Sequence, residues 1–132
     1  MVLVDSNVIL DVVTPDPVWE SWSAPAMKNL ARTELLVINP VIYAEIAVTF
    51  SDIDKLEVSL SLMQLTLVNI PREAAFLAGK VFPQYKKNGG TKSGVLPDFL
   101  IGAHAQASGL SLLTRDSSRY RTYFPKVHLI TP

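Results

Sequence analysis

Two short, mainly apolar runs of this chain are each followed by an acidic residue, and this pattern strongly limits the possible folds. Residues 2–4 (Val-Leu-Val) lead directly into Asp5, and residues 110–113 lead through two further residues to Asp116. Apolar runs of this length are typical of strands buried on both faces of a parallel sheet. The carboxyl ends of such strands lie at one edge of the sheet, where open α/β folds bind their ligands. We therefore expect Asp5 and Asp116 to lie at the same edge.

The rest of the chain alternates between strand-like and helix-like patterns. Further strands are predicted at residues 35–38, 66–70 and 126–130. Helices are predicted from residue 6, at residues 17–31, 40–49 and 52–64, after Pro71 and after Pro97. Pro25 and Pro83 are expected to kink or end their helices, and residues 85–94 are predicted to form a polar, basic loop. The alternation predicts an α/β protein with three layers, α/β/α, and a mostly parallel central sheet of four to five strands.

Length and composition favour a single domain, residues 1–132, with a substantial core. Cysteine is absent, which excludes disulfides and thiolate metal sites, and two histidines are too few for a zinc site without carboxylates. No apolar run approaches the roughly 20 residues that cross a bilayer, and no signal peptide is recognisable, so we expect a cytoplasmic protein without membrane association. Hydrophobic residues make up 48% of the chain and charged residues 18%, which suggests an apolar surface covered by a partner or a second copy.

Two further acids stand in segments that are otherwise apolar. Glu45 lies in a helix that is apolar on almost all sides, so its carboxylate must be neutral, paired with a basic residue or bound to a metal. Asp98 begins a second apolar helix, on the same face as Gly102 and Ala105, where small residues leave room for close packing or for a ligand. An acid in a first helical turn also complements the helix dipole, and Asp116 alone could be a helix cap.

Together, the four acids predict a metal site. Asp5 and Asp116 follow strands that end at the same edge, and Asp98 begins a helix. Three or four converging carboxylates, without cysteine and with little histidine, suit a hard cation such as Mg²⁺ or Mn²⁺. Without a cation the carboxylates would repel one another. This indicates metal-assisted phosphoester chemistry, in which the ion activates water and binds a phosphate oxygen.

The chain resembles a PIN domain, and specifically the VapC toxins of bacterial type II toxin–antitoxin systems. The resemblance covers essentially the whole length and rests on four segments: residues 4–8 (Val-Asp-Ser-Asn-Val), 39–45 (Asn-Pro-Val-Ile-Tyr-Ala-Glu), 96–105 (Leu-Pro-Asp-Phe-Leu-Ile-Gly-Ala-His-Ala) and 112–116 (Leu-Leu-Thr-Arg-Asp). It implies a PIN-like fold and a Mg²⁺- or Mn²⁺-dependent endoribonuclease that cleaves single-stranded RNA. It also implies inhibition by a cognate VapB-like antitoxin, and homodimers within a larger toxin–antitoxin assembly.

The resemblance also assigns roles to individual positions. Asp5 and Asp98 correspond to the principal metal ligands, whereas Glu45 and Asp116 correspond to acids that bind a second ion or orient the attacking water. Three polar residues would hold these carboxylates and waters in place: Ser6, Asn7 and Thr114. At residue 6 the family more often has threonine, and the serine keeps the hydroxyl.

The formal charges of the chain sum to zero, but its C-terminal part is basic. Residues 1–79 carry ten acids and four basic residues, whereas residues 80–132 carry two acids and eight basic residues. Such asymmetry can mark a partner-binding surface, although it also arises by chance in a short chain. The cations that could hold an RNA backbone or meet the antitoxin are Lys86, Lys87, Lys92, Arg115, Arg119 and Arg121. Tyr85, Tyr120 and Tyr123 lie among them and could stack on bases; the alternative is a solvated basic face with tyrosines in the core.

Four other residues are assigned to roles outside the acid site. Asp11 lies opposite the apolar face of the first helix, so we expect it to be solvated. His104 lies away from Asp98 on its helix and is predicted to be a hydrogen-bonded core histidine rather than a catalytic one. Trp19 and Trp22 are expected in the core, although they could line a groove for an amphipathic antitoxin segment.

Two other functions are compatible with the sequence. A PIN fold could bind RNA or protein without cutting it, with the acids as a structural cluster. The other is an aspartyl phosphatase with Asp5 as the nucleophile. That chemistry usually needs a second acid two residues further on, and Asn7 stands at this position.

Overall fold

Within residues 1–90 and 95–132, which the computed structural model describes, five short strands form one parallel sheet. The strands are β1 (Val2–Val4), β2 (Leu36–Ile38), β3 (Leu65–Leu67), β4 (Ser111–Leu113) and β5 (Leu129–Ile130). Their order across the sheet is β3-β2-β1-β4-β5, and each neighbouring pair is parallel. The central strand β1 and its neighbour β2 are buried along their whole length, as expected for strands with helices on both faces.

Helices connect each pair of successive strands. The described residues contain seven of them: α1 (Ser6–Val13), α2 (Glu20–Leu30), α3 (Pro40–Ala47), α4 (Ile53–Leu62), α5 (Arg72–Lys87), α6 (Leu96–Ser108) and α7 (Ser118–Tyr123). The predicted α/β fold with a parallel central sheet is therefore confirmed. No helix in this part of the chain has both the length and the apolar character that crossing a membrane requires.

Capping residues start or end three of the helices. The side chain of Asn39 accepts a hydrogen bond from the N–H of Ile42 at 2.9 Å and caps α3. Asp52 caps α4 in the same way. Gly109 ends α6 in the left-handed conformation, with a φ of 64°, which glycine adopts without a steric penalty.

Pro25 and Pro83 do not end their helices, which leaves only the kink of the two outcomes predicted for them. α2 continues past Pro25, and α5 continues past Pro83 for four more residues. Phe82 and Tyr85 stand on either side of Pro83. Both rings pack on Phe99 with centroid distances of 5.4 Å, so tertiary packing holds the two turns of α5 together. The predicted loop 85–94 therefore begins only after residue 87, and its residues 91–94 lie outside the described part of the chain.

A glycine in α6 sets the position of α7, a short helix that the sequence pattern does not predict. The ring of Phe124, which directly follows α7, packs so closely on Gly102 that a Cβ at residue 102 would overlap it. Phe124 is also buried against Phe99, with ring centroids 5.9 Å apart. The space beside Gly102 is thus used for close packing, and this packing brings α7 next to the helix that carries Asp98.

Asp11 is buried rather than solvated, which corrects the prediction from the helical pattern. Its Oδ2 accepts hydrogen bonds from Ser23 Oγ at 2.7 Å and from Arg115 Nε at 2.9 Å. The guanidinium of Arg115 also lies over the Trp19 ring, with Cζ 5.3 Å from the centroid. The polar side of α1 faces α2 and Arg115 instead of water. The Asp11 carboxylate therefore joins α1, α2 and the segment after β4.

Replacing Asp11 by Asn should lower the free energy of unfolding by about 2 kcal/mol, because the neutral amide leaves the Arg115 pair without its acceptor charge. Urea denaturation followed by circular dichroism measures this change. Glu57→Gln is the matched control, since Glu57 is exposed and accepts a 3.3 Å bond from Tyr43, and it should change stability by less than about 0.5 kcal/mol. Equal stability of Asp11→Asn and the wild type would contradict the structural role of this pair.

Candidate active site

The candidate site lies where β1 and β4 end, at the carboxyl edge of the sheet. Val4 pairs with Leu113, and the N–H of Asp5 donates to the carbonyl of Leu113 at 2.9 Å. Asp5 and Thr114 therefore follow two adjacent strands at the same edge. The sequence pattern predicts this location for Asp5, the acid that follows the first apolar run.

Asp5 is the most buried of the four predicted acids, with 4% of its surface exposed. Its Oδ1 accepts a hydrogen bond from the N–H of Ser6 at 2.8 Å. Its Oδ2 accepts bonds from Thr114 Oγ1 and Tyr120 Oη, both at 2.9 Å, and a longer bond of 3.4 Å from Asn7 Nδ2. Asn7 Nδ2 also lies 3.3 Å from Thr114 Oγ1. These contacts fix the orientation of the Asp5 carboxylate within the protein itself.

Glu45 is held beside Asp5 by the first residue of α1. Ser6 Oγ donates a hydrogen bond to Glu45 Oε1 at 3.0 Å, and Ser6 directly follows Asp5 in the chain. No lysine or arginine among residues 1–90 and 95–132 forms an ion pair with Glu45. The buried ion pair considered for Glu45 is therefore not found among these residues.

Asp98, in the first turn of α6, is paired with a cation. Its Oδ2 accepts a hydrogen bond from Arg119 Nη1, and only 33% of the Asp98 side chain and 23% of the Arg119 side chain are exposed. The guanidinium of Arg119 also lies over the ring of Tyr85, with Cζ 5.7 Å from the centroid. Asp98 thus shares a partly shielded environment with one arginine and one aromatic ring.

The electrostatics place three of the acids in one group. Burial raises the pKa of Asp5 to about 6; hydrogen bonds from Thr114 and Tyr120 oppose this shift, and the negative charge of Asp98 adds to it. Burial also raises the pKa of Glu45, and the charges of Asp5 and Asp98 act in the same direction. The charge of Asp98 therefore disfavours ionisation of Asp5, and the charges of Asp5 and Asp98 disfavour ionisation of Glu45. We call Asp5, Glu45 and Asp98 the acid cluster.

Asp116 is the outermost of the predicted acids. Its N–H donates to Thr114 Oγ1 at 3.1 Å, which anchors the Asp116 backbone at the sheet edge, while the residue itself is exposed. Within the described ranges, no three acidic or histidine side chains form a ready-made metal-binding group. Asp116 therefore lies at the rim of the acid cluster rather than inside it.

Tyr120 belongs to the site, although the sequence gives no signal for this role. Only 2% of Tyr120 is exposed, so it cannot stack on a base; its hydroxyl donates to Asp5 instead. Burial and the nearby charge of Asp5 raise the pKa of Tyr120 well above its ordinary value, which keeps the hydroxyl protonated as a donor. Tyr85 and Tyr123 are half-buried and contact each other edge to face, with centroids 6.0 Å apart.

The candidate RNA-binding cations lie in different environments. Three of them are exposed: Lys86, Lys87 and Arg121. Two are paired with acids: Arg115 with Asp11, and Arg119 with Asp98. Lys92 lies outside the described residues. The carboxylates of Asp11 and Asp98 offset part of the positive charge that Arg115 and Arg119 could offer to a phosphate.

His104 is a buried, hydrogen-bonded core residue, which confirms the prediction. Its Nδ1 lies 3.1 Å from Asn39 Nδ2. The Oδ1 of Asn39 accepts from the backbone of Ile42, so the amide directs its N–H toward the ring and His104 Nδ1 is the acceptor. Burial lowers the pKa of His104, which favours the neutral ring. This bond ties α3, which carries Glu45, to α6, which carries Asp98.

Several solved structures contain a chain with a similar fold. VapBC2 from Rickettsia felis, bound to a DNA fragment from its promoter, matches with a TM-score of 0.76 and 17% identity over 100% of this chain and 99% of that one. A toxin–antitoxin complex from Klebsiella pneumoniae matches with a TM-score of 0.71 and 23% identity over 100% and 98%. VapBC-1 from nontypeable Haemophilus influenzae matches with a TM-score of 0.72 and 17% identity over 99% and 98%. At these identities the likeness establishes the fold alone.

Sequence comparison gives the family. No curated protein matches the chain in sequence. A family model, that of the PIN domain, matches residues 2–125. The matched region runs from β1 through α7 and contains all four predicted acids. Since the match spans nearly the whole chain, and the parallel sheet with acids at its carboxyl edge agrees with it, this protein belongs to the PIN domain family.

Proposed function

We propose that the protein is a metal-dependent endoribonuclease whose active site is the acid cluster. The observation that carries this proposal is a group of carboxylates from the end of β1, from α3 and from α6, in which burial, with a smaller contribution from the neighbouring negative charges, raises the pKa values of Asp5 and Glu45. Perturbed pKa values at a shared site are typical of catalytic groups. Membership of the PIN domain family and the similar folds of solved VapBC proteins support the same proposal.

A divalent cation fits the chemistry of the acid cluster. The available donors are carboxylate oxygens, which Mg²⁺ and Mn²⁺ prefer, and the chain has no cysteine. The pKa of Asp5 is raised mainly by burial and further by the charge of Asp98, and a bound cation would offset both effects. We assign Asp5 and Asp98 as principal ligands, and Glu45 and Asp116 as acids that bind a second ion or hold the attacking water. When bound, the ion would lower the pKa of water and polarise a phosphate oxygen.

The chain's own residues would orient the reactants and move the proton. The polar residues that hold the carboxylates are Ser6, Asn7 and Thr114. With its raised pKa, Glu45 is suited to accept a proton from water as the water oxygen bonds to phosphorus. The bond from phosphorus to the 3′ oxygen then breaks, and that oxygen takes up a proton. The products are a 5′-phosphate and a 3′-hydroxyl.

RNA would reach the acid cluster along its basic side. Exposed Lys86 and Lys87 end α5, and exposed Arg121 lies on α7, the helix that also contacts Asp5 and Asp98. Cations of this kind bind the phosphate backbone irrespective of base sequence. We therefore propose them as backbone contacts for single-stranded RNA.

We further propose that the protein is a VapC-like toxin that forms homodimers and is inhibited by a VapB-like antitoxin. Large apolar side chains around α4 are exposed: Val48 (85%), Ile53 (65%), Val58 (59%) and Leu62 (79%). Such a surface favours a protein partner, in line with the apolar composition of the chain. The structure of similar fold from Klebsiella pneumoniae is a toxin–antitoxin complex, and the one from Rickettsia felis is VapBC2 bound to a promoter DNA fragment.

The alternative is a PIN-fold module that binds RNA or protein without cutting it. The ion pair between Asp98 and Arg119 favours this alternative, because it neutralises one acid of the cluster. Expression in a bacterial host without an antitoxin distinguishes the two functions: an active toxin arrests growth, and a binding module does not.

Replacing Asp98 by Asn should reduce metal-dependent RNA cleavage at least about 100-fold, because a neutral amide is a much weaker ligand for a hard cation. Cleavage of single-stranded RNA with and without EDTA measures this, and circular dichroism checks the fold. Asp54→Asn, on the exposed first turn of α4, is the matched control and should retain wild-type activity. Unchanged metal-dependent cleavage by Asp98→Asn would exclude this active site.

In EDTA, Asp5 should contribute more to stability at pH 5 than at pH 7.5. The folded-state pKa of Asp5, about 6, lies above its ordinary value of 3.8, so folding favours the protonated acid and this stabilisation is lost as the pH rises through 6. Asp5 alone should contribute about 1 kcal/mol between these two pH values. Urea denaturation of wild type and Asp5→Asn measures the difference, with Asp54→Asn as control. A pH dependence that persists unchanged in Asp5→Asn would contradict the raised pKa.

A further inference from the structure

The helix α7 brings two consecutive side chains to two different acids of the cluster. Tyr120 Oη donates to Asp5 Oδ2 at 2.9 Å, and Arg119 Nη1 donates to Asp98 Oδ2. The two contacts differ in charge, since Tyr120 is neutral and Arg119 is a cation. Among residues 1–90 and 95–132, Arg119 is the basic side chain that forms an ion pair with the acid cluster.

Arg119 supplies positive charge at Asp98, as the proposed metal ion would. Its guanidinium supplies positive charge at the Asp98 carboxylate, in a partly shielded environment where ion pairs are stronger than in open water. A cation bound to Asp98 would share this carboxylate with the guanidinium, and the two positive charges would repel each other at close range. The guanidinium and the metal ion therefore compete for one acid.

We propose that Arg119 is a built-in counter-ion that holds Asp98 in the metal-free protein and releases it when a divalent cation binds. This inference rests on the proposed metal site. The Arg119 side chain can move away while α7 stays in place, because Tyr120 is anchored to Asp5 and Phe124 is anchored on Gly102. The stacking contact with Tyr85 gives the guanidinium a second partner beside the site.

This arrangement couples metal binding to RNA binding. A phosphate group that attracts Arg119 frees Asp98 for the metal, and a metal ion that occupies Asp98 frees Arg119 for the phosphate. Because such coupling is reciprocal, each ligand raises the affinity for the other. Arg119 thus favours full occupancy of the acid cluster by metal only when RNA is also bound.

The test is Mn²⁺ binding by the full chain at pH 7.5, followed by electron paramagnetic resonance of free Mn²⁺. Arg119→Gln should bind Mn²⁺ roughly three- to tenfold more tightly than the wild type, because the competing charge is gone. Arg72→Gln, at the exposed start of α5, removes the same charge elsewhere and should bind as the wild type does. Wild-type or weaker affinity in natively folded Arg119→Gln overturns the proposal.

A second measurement uses the wild-type protein and does not depend on the folding of Arg119→Gln. The Nε–H resonance of Arg119, assigned by its loss in Arg119→Lys, should shift during a Mg²⁺ titration and saturate with the metal. A resonance that does not move at saturating Mg²⁺ overturns the counter-ion role while leaving the metal site intact. Absence of Mn²⁺ binding in both wild type and Arg119→Gln overturns the metal site of the proposed function together with this inference.

Discussion

The arrangement of the site depends on keeping one carboxylate, that of Asp5, out of water at the end of the central strand. A buried carboxylate without partners is costly, and here the cost is reduced by donors from Ser6, Thr114 and Tyr120. These donors belong to the start of α1, to the end of β4 and to α7. The Asp5 carboxylate is therefore satisfied only when all three elements are in place, so it also acts as a tie between them.

A second polar contact, which carries no charge, positions the helices around this carboxylate. The bond between Asn39 and His104 joins α3 to α6, and burial keeps the histidine neutral. These are the helices that carry Glu45 and Asp98. A charged tie at this depth would add to the electrostatic field of the acids, whereas the neutral one fixes their spacing and leaves their charges to be balanced at the sheet edge.

Local sequence predicts the parts of the site that depend on a single element. Glu45 could be identified because an acid in a helix that is apolar on all sides has no solvated face to occupy. Asp11 looked solvated because the pattern of one helix contains no information about a second helix packed over its polar side. Tyr120 was missed as a partner of Asp5 because their contact spans 115 positions of the chain and depends on α7, which is too short for a periodic pattern. The rule that proline ends a helix failed at Pro83 because aromatic packing on both sides outweighs it.

The contact between Gly102 and Phe124 makes the geometry of the site depend on two residues that have no reactive groups. Any side chain at residue 102 would displace the Phe124 ring, and with it the helix that carries Tyr120 and Arg119. A change of one hydrogen atom to a methyl group would thereby move Tyr120 and Arg119, the partners of Asp5 and Asp98. Selection for the proposed nuclease activity would then act on Gly102, which provides only space for packing, as well as on the carboxylates.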